Sequence, residues 1–177
     1  MPIRNQSRHP VLQILRLSYL FPMAFLSSCS GLQLLNTLTP DSAAKILTDI
    51  AYAEGERQSL DIYLPKGDLT NAPVVVFVYG GRWSFGNKEE YRFAGEALAS
   101  KGFVAVVPDY RLYPAVKFPD FIVDIAKAVA WVNNNIADYG ASSKQLFLMG
   151  HSAGAHTVAT LALNHRFLAA EGYDAKQ

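Results

Sequence analysis

The strongest chemical signal in the chain is a serine with a glycine two residues to either side, Gly150-His151-Ser152-Ala153-Gly154. A serine hydroxyl attacks a carbonyl carbon only when a base takes its proton and donors receive the charge on the carbonyl oxygen. The pattern G-x-S-x-G alone arises by chance in roughly one chain in twenty of this size. Its context is more specific. An apolar strand signal, Leu146-Phe147-Leu148-Met149, runs directly into it, and an alanine- and leucine-rich helix signal, Ala153 to Leu163, runs directly out. A serine on so sharp a turn sits in a strained backbone conformation and needs neighbours without Cβ atoms. The helix N-terminus beside it presents unpaired N–H groups and a positive dipole end. The alternative is a serine capping a glycine-rich helix entry.

A second candidate is Tyr79-Gly80-Gly81-Arg82-Trp83, just past the apolar run Val74 to Val78. Without side chains, a Gly-Gly turn brings backbone N–H groups close to a substrate carbonyl, and a plain strand-to-helix turn is the other reading. Asp109 and Arg111 follow a further apolar run and suggest either acid chemistry or a structural brace. Trp83, Tyr110 and Tyr113 are pocket candidates, although aromatic side chains more often belong to a core. A general base is harder to find. His156 shares the helix of Ser152, so its ring lies along the helix body. His165 is roughly 20 Å away at 1.5 Å of rise per residue, far beyond the ~3 Å a base requires. His151 points elsewhere by strand and turn geometry. Glu171 and Asp174 are the acids that follow.

The elements that position these groups alternate between strand and helix. Lys45–Tyr52 and Ser59–Leu64 are β-rich and separated by the turn-like Ala53-Glu54-Gly55-Glu56, which predicts a hairpin. Pro73–Tyr79, Phe103–Val107 and Gln145–Met149 are apolar on both faces, as in strands covered by helices on both sides. Glu89–Ser100 and Phe121–Asn135 carry apolar residues at helical spacing, and Ala153–Leu163 is expected to be a buried helix. This alternation predicts an α/β fold with a largely parallel sheet and right-handed crossovers.

Four stretches, in order, resemble the α/β-hydrolase superfamily, and within it the hormone-sensitive-lipase-like and bacterial feruloyl-esterase-like carboxylesterases. They are Ser59–Pro65, Val76–Trp83, Val107–Leu112 and Leu148–Gly154. The resemblance implies a three-layer sandwich around a mostly parallel sheet, with Ser152 as nucleophile and the amides of Gly80, Gly81 and Ala153 as the oxyanion hole. It implies that Asp109 and Arg111 brace a loop and that His156 packs in the interior. The family has a histidine where Tyr79 stands, and the tyrosine hydroxyl is expected to organise the loop instead. No metal or organic cofactor is implied. In this superfamily the acid and histidine of the triad follow the serine on later strands. They are not evident after Ser152, so the C-terminal strands and helices are expected to be missing and hydrolysis by this chain to be strongly reduced. Leu146–Met149 would then form an unprotected sheet edge.

The chain has 177 residues, 50% hydrophobic and 18% charged, enough for one domain with a core. Its net charge of +1 and lack of a one-sign run argue against a nucleic-acid surface. Cys29 is the only cysteine, which excludes an internal disulfide and a cysteine-rich metal site. Arg4, Arg8 and Arg16 precede the apolar run Leu17–Leu26, and Ser27-Ser28-Cys29 follows, the layout of a secretory signal. Leu26–Cys29 also resembles the lipobox of bacterial lipoproteins, which implies lipidation of Cys29, a membrane tether and a cell-envelope location. Residues 1–28 are thus expected to be the signal, 29–44 a linker and 45–177 a partial hydrolase domain. The expected function is hydrolysis of small carboxylic esters. An amidase or formamidase shares every motif, and a non-catalytic, membrane-tethered binding protein on the same half-fold is the reading from another class.

Overall fold

The computed structural model describes residues 31–39 and 44–174, so the signal-like segment and Cys29 lie outside the described residues. Five strands form one sheet: β1 (Ala44–Ala51), β2 (Ser59–Pro65), β3 (Val74–Val78), β4 (Val104–Pro108) and β5 (Leu146–Gly150). Their spatial order is β1-β2-β4-β3-β5. β1 and β2 form the expected antiparallel hairpin, which joins β4 antiparallel, while β4, β3 and β5 run parallel. The parallel centre follows from composition. Every residue of β3 and β4 is buried, and strands sealed on both faces read as unbroken Val-rich runs.

The helices are α1 (Gly31–Leu38), α2 (Arg92–Ala99), α3 (Asp120–Asn135), α4 (Ala153–Leu163) and α5 (Arg166–Ala170). α2 packs on β2, β3 and β4 and touches α1, whereas α3 contacts β4, α4 and α5, and α4 lies on β3 and β5. α3 buries Ile122, Ile125, Ala126, Val129 and Val132, the stripe its 3.6-residue spacing predicts. At about 25 cal/mol per Å², such a stripe supplies much of the force holding helix to sheet.

Three expectations are corrected. The stretch read as a linker contains α1, because Leu32, Leu35 and Asn36 recur at helical spacing and the side chain of Asn36 is satisfied from outside the helix. Its Nδ2 donates to the carbonyls of Glu89 and Glu90, and its Oδ1 accepts from the Phe93 amide. β5 is not buried on both faces, since Phe147 and Met149 are 54% and 49% exposed. Among the described residues it pairs with β3 alone, so it is the open edge the sequence anticipates. α4 is buried on one face only: Ala153, Gly154, Thr157 and Leu161 are covered while Leu163 is 87% exposed.

Candidate active site

Ser152 stands at the junction of β5 and α4, exposed to solvent, with φ 53° and ψ −118°. A non-glycine residue in that conformation costs on the order of 1–3 kcal/mol and persists only where its surroundings impose it. Here they do. The His151 amide donates to the Val78 carbonyl at 3.0 Å, fixing the turn to the end of β3. A Cβ on Gly154 would lie closest to the Val78 carbonyl oxygen and 2.5 Å from that of Tyr79, so only glycine lets α4 start so near β3.

The loop after β3 faces the serine. A Cβ on Gly80 would sit 3.0 Å from the Ser152 Cβ, which places the glycine backbone directly beside the serine side chain. Gly81 has φ 123°, a conformation reserved for glycine, and Arg82 and Trp83 follow at φ 52° and 57°. The amides of Gly81, Arg82, Trp83 and Ala153 donate no hydrogen bond within the described residues. A row of free N–H groups beside a helix N-terminus suits a developing oxyanion. Arg82 is the residue of this run that sequence reasoning did not name. Its positive φ follows from the loop's path and has no mark in the sequence.

The loop is nailed down on several sides. Trp83 Nε1 donates to Thr157 Oγ1 on α4 at 3.2 Å, and its ring stacks on Phe121 at 5.3 Å. The Trp83 carbonyl accepts from the Tyr113 amide at 2.7 Å. The half-buried indole thus ties loop to helix. Tyr113 is exposed, and Tyr110 is core, stacked on Tyr79 with ring centroids 4.6 Å apart. Tyr79 is fully buried, and its hydroxyl donates to Asp109 Oδ1 at 2.7 Å, so it organises the loop as the sequence suggests. Burial pushes the Tyr79 hydroxyl far above the ordinary tyrosine value, reinforced by the Asp109 charge, so it stays a donor. Burial also lifts the Asp109 carboxyl above its usual range, opposed by the Tyr79 hydrogen bond and the Arg57 charge. Asp109 and Arg111 are both braces, with separate partners: Arg111 forks onto the Asp124 carboxylate at 2.7 and 2.8 Å.

The histidines are placed as follows. His151 Nδ1 shares a hydrogen bond with the Tyr91 hydroxyl at 3.1 Å. Burial raises the Tyr91 hydroxyl above its ordinary value, and a backbone hydrogen bond with Gly80 opposes the rise. His156 is exposed, not interior, with its ring edge-on to Trp83 at 5.3 Å and its Nδ1 near Thr160 Oγ1. His165 Nε2 lies 3.0 Å from the Ala162 carbonyl. Among the described residues no histidine bonds to Ser152, and no cluster of metal-ligating side chains is present.

The family profile named BD-FAE matches residues 60–174. The chain belongs to the BD-FAE family of α/β hydrolases. Its match takes in both glycine turns, Asp109 and Ser152. Over 130 residues the BD-FAE chain is 35% identical to a probable isoprenylcysteine alpha-carbonyl methylesterase of Oryza sativa subsp. japonica, covering 73% of this chain and 30% of that protein. It is 36% identical over 118 residues to a kynurenine formamidase of Salmo salar, covering 67% of this chain and 39% of that protein. Among solved structures, esterase B from Lactobacillus rhamnosis superposes with a TM-score of 0.70 at 22% identity, over 94% of this chain and 54% of that one, a likeness of fold alone. The BD-FAE chain therefore spans under two-fifths of the length of these two curated relatives.

Proposed function

We propose that this BD-FAE protein is a serine hydrolase of carboxylic esters that works through an acyl-enzyme. The observation that carries the reading is Ser152 at φ 53°, exposed on the turn into α4 and packed against Gly80. In the first step the Ser152 oxygen bonds to the ester carbonyl carbon and its proton passes to a histidine. The negative charge moves to the carbonyl oxygen, where the free amides of Gly81, Arg82 and Ala153, with Gly80 beside the serine, receive it. The carbon–oxygen bond to the alcohol then breaks, and the alcohol leaves with the proton. Water repeats the sequence on the acyl-enzyme. Among the described residues His151, His156 and His165 each hydrogen-bond to a group other than Ser152, so none of the three is assigned as the base. Several relatives are named as esterases, which favours esters over amides. The reading includes lipidation of Cys29 and a tether at the cell envelope, tested by incorporation of labelled palmitate and its loss in Cys29→Ser.

A fluorophosphonate probe tests the nucleophile, because it traps an activated serine without turnover. Peptide mapping of the labelled protein is expected to place the adduct on Ser152, and Ser152→Ala to remove it. Adducts spread over other serines, or a rate unchanged in Ser152→Ala, refute the assignment.

A further inference from the structure

Within the loop from Tyr79 to Lys88, the backbone bonds are those of the Ser84 and Phe85 amides to the Gly81 carbonyl, at 3.0 and 3.1 Å. The loop has two adjacent non-glycine residues in the left-handed region, and three successive amides, Gly81 to Trp83, without acceptors. Further bonds reach the loop from outside, several of them from one residue distant in sequence. Arg57 sits in the turn between β1 and β2, itself at φ 61°. Its Nη2 donates to the Gly86 carbonyl at 2.7 Å, to the Tyr79 hydroxyl at 2.9 Å and to Asp109 Oδ1 at 3.3 Å. Its Nε donates to the Tyr110 carbonyl at 3.0 Å. One guanidinium thus joins the beginning of the loop, its far side and the end of β4.

We propose that Arg57 is a positioning residue that sets the oxyanion loop against Ser152, acting through Tyr79, Gly86 and Asp109 without touching substrate. Three features carry this. The planar guanidinium holds two nitrogens in a fixed relation, Nε on the Tyr110 carbonyl and Nη2 on Gly86, Tyr79 and Asp109, whereas an ammonium is a single nitrogen that cannot span both positions. Asp109 is buried, and its Oδ1 already accepts from the Tyr79 hydroxyl and from the Lys88 amide at 2.9 Å, so loop start and loop end meet on one oxygen. Arg57 adds a cationic donor to that same oxygen at 3.3 Å. The Gly86 carbonyl is turned towards Arg57, while Gly86 (φ 97°) lies against the Tyr79 ring. Losing the guanidinium frees that carbonyl and lets the loop relax away from Ser152. A shift of about 1 Å in such a loop costs on the order of 10² in rate.

The inference deepens the reading of Ser152 as nucleophile and rests on it in one arm of the test only. In a Trp131→Phe background, Trp83 is the one remaining tryptophan and reports the loop directly. Arg57→Ala is expected to raise acrylamide quenching of Trp83 about two-fold and to slow fluorophosphonate labelling of Ser152 between 10- and 100-fold. Arg57→Lys, which keeps the charge and loses the fork, is expected to show most of both effects. Added guanidinium at about 50 mM, far below denaturing concentrations, is expected to restore both readouts in Arg57→Ala. Arg111→Ala, whose guanidinium contacts Asp124 and not the loop, is expected to show no rescue. Unchanged Trp83 quenching in Arg57→Ala, or full function in Arg57→Lys, overturns the proposal. Absence of Ser152 labelling in the parent protein, with quenching that changes and is rescued, refutes the nucleophile and leaves the loop clamp standing.

Discussion

Gly154→Ala is the sharpest perturbation of the candidate site, because local and tertiary effects oppose each other. On an isolated helix the change is favourable by about 1 kcal/mol, since alanine is the better helix former. In the fold, the new Cβ would fall 2.5 Å from the Tyr79 carbonyl oxygen and 2.6 Å from the Val78 carbonyl carbon, with the Val78 oxygen closer still. These are backbone atoms of a central strand and cannot swing aside. A tolerable contact near 3.3 Å requires α4 to withdraw by about 0.8 Å or more, as ordinary van der Waals separations dictate. Overpacking of this kind costs typically 1–3 kcal/mol, occasionally more. Because the receiving atoms are backbone, the cost falls in the upper part of that range, about 2–3 kcal/mol, and subtracting the gain of about 1 kcal/mol leaves an expected net loss of about 1–2 kcal/mol. For a domain of this size that lowers Tm by about 3–8 °C. The same withdrawal carries Ser152 and the Ala153 amide away from Gly80, so fluorophosphonate labelling is expected to fall by about 10². The assay pairs thermal unfolding with labelling rate. Gly31→Ala serves as control, since a Cβ there meets nothing within 4 Å. A Gly154→Ala protein that melts at or above the parent temperature and labels at the parent rate refutes the argument.

The other predictions concern buried charge. Lys88 is 2% exposed, and its ammonium contacts Asp61 at 2.9 Å and Asp49 and Glu89 at 2.7 Å, with Asp61 itself 4% exposed. Lys88→Met leaves the Asp61 carboxylate buried without its cation and is expected to cost about 3–5 kcal/mol in urea unfolding; a loss under about 1 kcal/mol refutes the assignment of that network. Burial raises the hydroxyls of Tyr52, Tyr63, Tyr79 and Tyr110 well above the ordinary tyrosine value. The folded chain keeps these protons while unfolded tyrosines release theirs near pH 10, so the contribution is complete below about pH 10 and lost as pH rises beyond it. Four such groups give a slope of about 5 kcal/mol per pH unit, and the share of tyrosinate absorbance at 295 nm that belongs to them is expected to rise together with unfolding. Ionisation of all nine tyrosines near pH 10 in a still-folded protein would contradict it.

Much of the fold was legible because its signals are local. The turn at Ala53–Glu56 between two β-rich runs marks the hairpin, the Val-rich runs mark the parallel centre, and the spacing from Ile122 to Val132 marks α3. α1 escaped notice because its short, largely exposed segment resembles a polar linker until Asn36 is seen bridging to Glu89, Glu90 and Phe93. The apolar run of β5 reads as doubly buried, yet its exposure depends on which strands lie beside it, and apolar residues alone do not encode neighbours.

For the candidate site, the chain's own residues determined the glycine turns, the serine between a strand and a helix, and the family to which they belong. These features turn on steric rules that act within a few residues, so they can be read one stretch at a time. Tertiary structure alone decided that Gly80 lies against Ser152, that the Arg82 amide donates no hydrogen bond among the described residues, and that Arg57, Tyr79 and Asp109 share one cluster. Those relations join positions separated by 22 to 72 residues. Hydrogen bonds and backbone contacts over such distances exist only once the sheet has brought the strand ends together.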